Sequence, residues 1–262
     1  MKRLQRVACM VRSLRSKSKK SISIKIPLKN VTIAHNDKQF IEDIVELERY
    51  MKEEVNALHI TYIGQDNLVK YIVAPNDKLL GLKYKKDAIG IKNSIAKISN
   101  EVLVQYIDGK IDKLNVNYNG KNYELEKDEI SVNVKMDDSV QFGKDEIADL
   151  DRDIIVIVDF EHSIEVEEIY RMRMFIVNVQ AMRKKTKLRP WDKIKIYYDT
   201  DNSDFVGILK KYDTEITENL MYGIYPLVDI KVDIDADITE KLVIEQICDI
   251  CNVPVKIVIK FA

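Results

Sequence analysis

Between Glu168 and Ile196 the chain reads EIYRMRMFIVNVQAMRKKTKLRPWDKIKI, an order of residues that few folds can house. At about 100° per residue, Met172, Phe175, Ile176, Val179 and Met182 gather on one side of a helix. Arg173, Gln180, Lys184 and Lys187 form a separate stripe, with Arg183 on the boundary. The pattern turns at Arg189-Pro190 and leaves as an alternating strand over Lys193–Tyr198. Such a helix can pack its apolar side into a domain and still show a polyanion its basic one. Arg171–Lys195 holds nine Lys or Arg against a single acid, Asp192, a density that a solvated helix end alone does not require.

The same segregation of charge recurs elsewhere in a chain whose net charge is only −1. Met1–Lys20 carries eight Lys or Arg and no acid, whereas Asp145–Glu168 holds ten acids and one arginine, Arg152. Local fields of either sign therefore survive overall neutrality, although solvated faces give the same pattern. With 262 residues and 46% apolar composition, the chain can bury more than one core. No apolar run approaches the roughly 20 residues of a membrane span. The cysteines predict no metal centre: Cys248-x-x-Cys251 lacks a second ligand pair, and buried reduced thiols on a helix are expected.

Taken in order, the pattern predicts an α+β protein: tandem strand–helix–strand subdomains with a β-hairpin-rich middle, preceded by a short basic helix. The expected divisions are residues 1–21, 22–144 and 150–262. Leu4, Val7, Val11 and Leu14 mark the first helix, which resembles the tail of a helical bundle. Ser21–Pro27 alternates as a strand, Val31–Ile33 continues extended, and Asn36 with Gln39 opens a helix to about Asn56. Strands follow at Leu58–Ile63 and Leu68–Val73, then a helix from Lys85-Lys86 to about Ser99. Val102–Met136 is read as β, with hairpin turns at Asp108-Gly109 and Asn119-Gly120. Lys144–Asp153 is acidic and aperiodic, the expected boundary. Beyond it come a strand at Ile154–Val158, a helix over about Asp204–Met221, a strand at Leu227–Ile234, a last helix from Asp237 and a closing strand at Val255–Phe261.

No catalytic constellation emerges. His162 with Asp159 and Glu161 is the nearest approach to an acid–base or metal cluster, and a solvated helix entrance accounts for it. An enzyme working through His162 remains a rival that replacement of that residue tests.

One stretch carries a resemblance. Arg173, Gln180, Arg183-Lys184-Lys185, Leu188, Pro190, Asp192 and Ile194 resemble the pattern Arg-x(6)-Gln-x-x-(Arg-Lys-Lys)-x-x-Leu-x-Pro-x-Asp-x-Ile of the C-terminal region of isoleucyl-tRNA synthetases. The chain departs from that pattern at Val177-Asn178, where the family tends to have Asn-Arg, at Lys187, usually glycine, and at Trp191, usually small or polar. Pro75-Asn76-Asp77-Lys78-Leu79-Leu80-Gly81 before Lys85-Lys86 is similar as well, as is the passage from Arg12-x-x-Arg15 to Ile26-Pro27-Leu28. The likeness thus runs from about Arg12 to Ile196 in consistent order.

The resemblance implies a C-terminal, tRNA-binding portion of the eukaryotic cytoplasmic type, since the four-cysteine zinc ending of many bacterial forms is missing. It implies tRNA(Ile) as partner and ATP and Mg²⁺ as cofactors of upstream catalytic domains, with no cofactor and no catalytic residue in this portion. Upstream catalytic and anticodon-binding domains of the same chain, and a multi-synthetase assembly, are the further partners it suggests. The candidate tRNA contacts are Arg12, Arg15, Lys17, Lys19 and Lys20 in one patch. Arg173, Gln180, Arg183, Lys184, Lys185, Lys187, Arg189 and Trp191 form the other. Trp191 either stacks on a loop base or caps the core below the turn. The alternative function is a structural module docking partner proteins or another subunit.

Overall fold

The computed structural model describes residues 2–18, 22–107, 109–189, 191–227 and 241–262. Two compact units are present: Met1–Ile22 with Asn30–Glu161, and Ser23–Lys29 with His162–Ala262.

The first unit opens with α1 (Lys2–Lys17), followed by β1 (Leu28–Ala34), α2 (Lys38–Val45), α3 (Glu48–Val55), β2 (Ala57–Ile63) and β3 (Val69–Pro75). Then come α4 (Asp77–Tyr84), α5 (Ala88–Ile95), α6 (Asn100–Ile107), β4 (Leu114–Tyr118), β5 (Lys121–Leu125), β6 (Ile130–Met136), β7 (Glu146–Asp151) and β8 (Ile154–Asp159). Its main sheet has the order β2-β1-β8-β7, with β8 antiparallel to both β1 and β7. Ile154 to Val158 are all buried, so this central strand is covered on both faces, as its unbroken apolar run suggests. α1 packs with α2, α3, β7 and β8. The Ile155–Ile157 side shares a small core with Val69 of β3. A second core joins Leu80, Ile91, Ile95 and Leu103 of α4–α6 to Leu114, Val116 and Leu125 of the β4–β5 hairpin.

Several expectations are corrected here. Ile22–Ile26 forms turns and loop instead of a strand, and Ser21 lies outside the described residues. Asp37, not Asn36, caps α2, accepting from the Gln39 amide at 2.9 Å, and the expected long helix is broken after Val45. Asn36 instead accepts from the Gln65 amide. The helix expected from Lys85 begins earlier, where Asn76 caps α4, and Lys85-Lys86 occupy a 3-10 turn. Asn100–Ile107 is α6, not β. The Asn119-Gly120 turn closes the β4–β5 hairpin with both residues at positive φ, 50° and 75°. The other proposed hairpin turn includes Asp108, outside the described residues. Acidic Lys144–Asp153 contains β7, an edge strand that does not alternate because all six of its residues are half-buried.

The second unit is built on α7 (Ile164–Lys185), β9 (Ile194–Asp199), α8 (Ser203–Lys211), α9 (Asp213–Leu220), β10 (Ile224–Pro226), β11 (Leu242–Ile250) and β12 (Val253–Phe261). The sheet order is β10-β9-β12-β11, parallel between β10 and β9 and antiparallel elsewhere. Met172, Phe175, Ile176, Val179 and Met182 of α7 are the residues buried against Ile194, Ile196 and Tyr198 of β9 and the apolar side of α8. Cys248 and Cys251 are not on a helix: Cys248 is buried on β11, and Cys251 begins the turn into β12 with φ 54°. Burial pushes both thiols up. The last helix expected from Asp237 is overturned over Leu242–Ile250, which is β11; its start, and all but the first residue of the strand expected at Leu227–Ile234, lie in residues 228–240, outside the described residues.

Candidate nucleic-acid interface

The N-terminal basic residues are drawn into the first unit's own structure. Arg15 is buried, and its Nη2 donates to the carbonyls of Val55 at 3.0 Å and Asn56 at 3.1 Å, the C-terminal end of α3. Burial lowers its pKa. Arg12 pairs with Glu54. Lys17 meets Asp149 of β7 at 2.6 Å, and Arg6 meets Asp151 at 2.6 Å and Asp153 at 2.9 Å. Basic helix and acidic strand, far apart in sequence, thus neutralise one another on packing. Lys19 and Lys20 lie outside the described residues.

The second cluster is differently placed. Ser163 caps α7 by accepting from the Val166 amide at 3.3 Å, with Glu165 and Glu167 in the first turn. Arg183, Lys184 and Lys185 occupy the last, where cations favour the helix dipole. The chain leaves through a left-handed Lys187, φ 58°: the Lys187 amide donates to Lys184 and the Leu188 amide to Arg183. That Schellman geometry favours glycine, which accounts for the residue the resemblance leads one to expect there. Lys187→Gly should therefore raise the stability of the protein by about 0.5–1 kcal/mol in a denaturant titration, since glycine carries no left-handed penalty.

Past Leu188, which packs against the core, the Arg189 amide donates to Asp192 Oδ2 at 2.7 Å and the Asp192 amide to the Arg189 carbonyl at 3.1 Å. Tyr222 Oη donates to the Asp192 carbonyl at 2.7 Å, tying this turn to the end of α9. Arg183 is held there too, donating to the Leu220 carbonyl at 3.1 Å with its guanidinium 5.3 Å from the Tyr222 ring centre. Its role is thus partly structural. Trp191 is 70% exposed and does not cap the core; the Arg189 guanidinium lies 5.6 Å from its ring centre. Lys184, Lys185 and Lys187 are exposed and make no ion pair among the described residues, and Gln180 is exposed one turn earlier. Arg173 is half-buried. The result is a hydrogen-bonded turn that presents exposed cations and one exposed indole. Tyr222 and Asp192 hold it in shape; sequence periodicity did not single out Tyr222, because its partner lies 30 residues away.

His162 Nε2 sits 3.7 Å from Glu167 at the exposed start of α7, and no group of three potential metal ligands occurs among the described residues. No helix among them is long and apolar enough to cross a membrane.

No family model matches the chain. Curated proteins do: 216 residues, 80% of this chain, are 28% identical to "Isoleucine–tRNA ligase, cytoplasmic" of Saccharomyces cerevisiae. The chain resembles cytoplasmic isoleucine–tRNA ligases. The Mus musculus isoleucine–tRNA ligase is 28% identical over 238 residues, 84% of this chain, and that of Tetrahymena thermophila is 28% identical over 224 residues, also 84%. These matches cover 19%, 18% and 20% of the respective ligases, so the chain spans about a fifth of their length. The likeness is consistent with a C-terminal region of an isoleucine–tRNA ligase, and it supports a synthetase-related role in translation.

Proposed function

We propose that this chain is the tRNA-binding, C-terminal portion of a cytoplasmic isoleucine–tRNA ligase. In this reading it holds tRNA(Ile) from the anticodon side while other domains of the enzyme carry out aminoacylation with ATP and Mg²⁺. The carrying observation is the α7–β9 turn of the second unit, where the exposed Lys184, Lys185 and Lys187 at the end of α7 are followed by Arg189, which lies against the exposed Trp191. Phosphates are gripped by cations through counterion release, and unpaired RNA bases stack on aromatic or guanidinium planes. The turn supplies both.

The cations of the first patch enter this mechanism less directly. Arg12 and Lys17 are in surface ion pairs, each worth little and exchangeable for a phosphate. Arg15 is committed to α3.

A titration of the full chain with tRNA(Ile) at several salt concentrations tests the reading. The logarithm of the association constant should fall linearly with that of salt, with a slope of about −3 to −5 for four or five phosphates. Absence of saturable binding at low salt contradicts it, and co-purification of a protein partner without RNA binding would favour a docking module instead.

A further inference from the structure

Two positions of α4 in the first unit hold residues that make the fold less stable than it could be. Gly81 lies in the middle of this eight-residue helix, has no positive φ, and a Cβ built on it would meet nothing within 4 Å. Among the described residues nothing requires a glycine there, yet a helix is weaker with glycine than with alanine. Lys85, which ends the helix, shows the converse. Its φ of 45° and ψ of −111° are close to those of the first central residue of a type II′ turn, a place that favours glycine. A glycine thus stands where a side chain would stabilise the fold, and a lysine where glycine would. Such reversals of local preference collect at functional sites.

The two positions share one row. The Lys85 amide donates to the Gly81 carbonyl, so Lys85 stands one turn beyond Gly81, and Lys78 stands one turn before it. All three are exposed, as is Leu82 beside them, whereas Leu80 is buried in the core and Tyr84 Oη donates to the Glu124 carbonyl at 3.0 Å. Lys86 follows, also exposed, and neither it nor Lys78 nor Lys85 makes an ion pair among the described residues. The two acids of the stretch are paired: Asp77 with Lys92 at 2.8 Å, and Asp87 with Tyr123 Oη, from which it accepts at 2.9 Å. The outer side of α4 is therefore a gap in the side-chain layer with an unpaired cation at either end.

We infer that this row receives the sugar–phosphate backbone of an RNA double helix, a stem of the tRNA. Lys78, Lys85 and Lys86 take phosphates, and the bare Gly81 lets the strand lie close to the helix. Lysine binds phosphate as a point charge, whereas protein–protein interfaces are depleted in it. The row holds no aromatic ring, so it offers phosphate contacts without base stacking, the mode in which duplex RNA is recognised. The inference rests on the function proposed above and deepens it, adding a contact for paired RNA to the one for unpaired bases at Trp191.

The test uses the full chain, a tRNA(Ile) transcript and a blunt RNA duplex of its anticodon-stem sequence. Gly81→Ala should raise the thermal midpoint by roughly 2–4 °C and yet weaken binding of both RNAs several-fold. Lys85→Gly should also raise the midpoint while weakening duplex binding about fivefold near 0.15 M salt and lowering the salt slope by about 0.9, the worth of one phosphate contact. Gains in stability joined to losses in affinity are not what a merely structural role gives. If both variants melt higher but bind both RNAs as wild type does, the row serves a protein or nothing; the inference is refuted and the proposed function stands. A lower midpoint for Gly81→Ala gives the glycine an internal role and overturns the inference. Weakening by Lys85→Gly but none by Gly81→Ala leaves a diffuse field and refutes the close-approach site. If the wild-type chain binds neither RNA, both readings fall.

Discussion

Replacing Lys184, Lys185 and Lys187 together by glutamine is expected to weaken tRNA binding on the order of a hundredfold near 0.15 M salt, and to reduce the salt slope by about 2 to 3. The argument is electrostatic and local. All three side chains are exposed, and none makes an ion pair among the described residues, so no internal contact is lost with the charge. Each phosphate neutralised releases close to one counterion, which sets both the size and the salt dependence of the effect. Folding should change little: the carbonyls at the end of α7 are satisfied by the Lys187 and Leu188 amides, not by lysine side chains. The cost there is a few tenths of a kcal/mol from the weakened helix-dipole interaction. Thermal melting with unchanged midpoint and tRNA titration with a flattened slope together check the prediction.

Arg15 should behave in the opposite way. Arg15→Met keeps the apolar stem but strips the donor from the Val55 and Asn56 carbonyls, one of them fully enclosed. Carbonyls left buried without a partner cost about 1–3 kcal/mol each, so a total loss of roughly 2–4 kcal/mol is expected in chemical denaturation. Asn56 is the left-handed end of α3, φ 50°, so the arginine holds together the point where α1, α3 and the entry to β2 meet. RNA affinity of the folded fraction should stay within a few-fold of wild type. The pair of variants thus separates a cation that builds the fold from cations that face outward, a distinction invisible in the sequence, where both belong to equally dense basic runs.

What the sequence made legible follows from how local each signal is. The α7 helix and β9 strand were readable because one apolar stripe and one alternating run meet the same core; β8 was readable because both its faces are covered. Asn119-Gly120 was readable because only a few residues tolerate that turn. α6 was misread because Val102 and Ile107, 36% and 49% exposed, add apolar residues that its single fully buried residue, Leu103, does not need. Around β11, Ile244, Ile247, Cys248 and Cys251 fall at helical spacing by coincidence, and Ile247 at 70% exposure blurs the alternation. The basic patches were visible as charge, but partnership was not. Lys17 finds Asp149 from 132 residues away and Arg6 finds Asp151 from 145, contacts that no window on the sequence contains. Trp191 could be placed at the turn; whether it faced the core or outward depended on Tyr222 and Asp192 holding that turn closed.

Trp191 also supplies the most direct readout of the central proposal, because it is the chain's single tryptophan and is 70% exposed. Its emission should be quenched in a saturable way as tRNA(Ile) is added at low salt, should recover as salt is raised, and should respond far less in the Lys184, Lys185 and Lys187 variant. Emission that stays unchanged while an independent method shows tRNA bound would place the RNA elsewhere on the molecule and contradict the account.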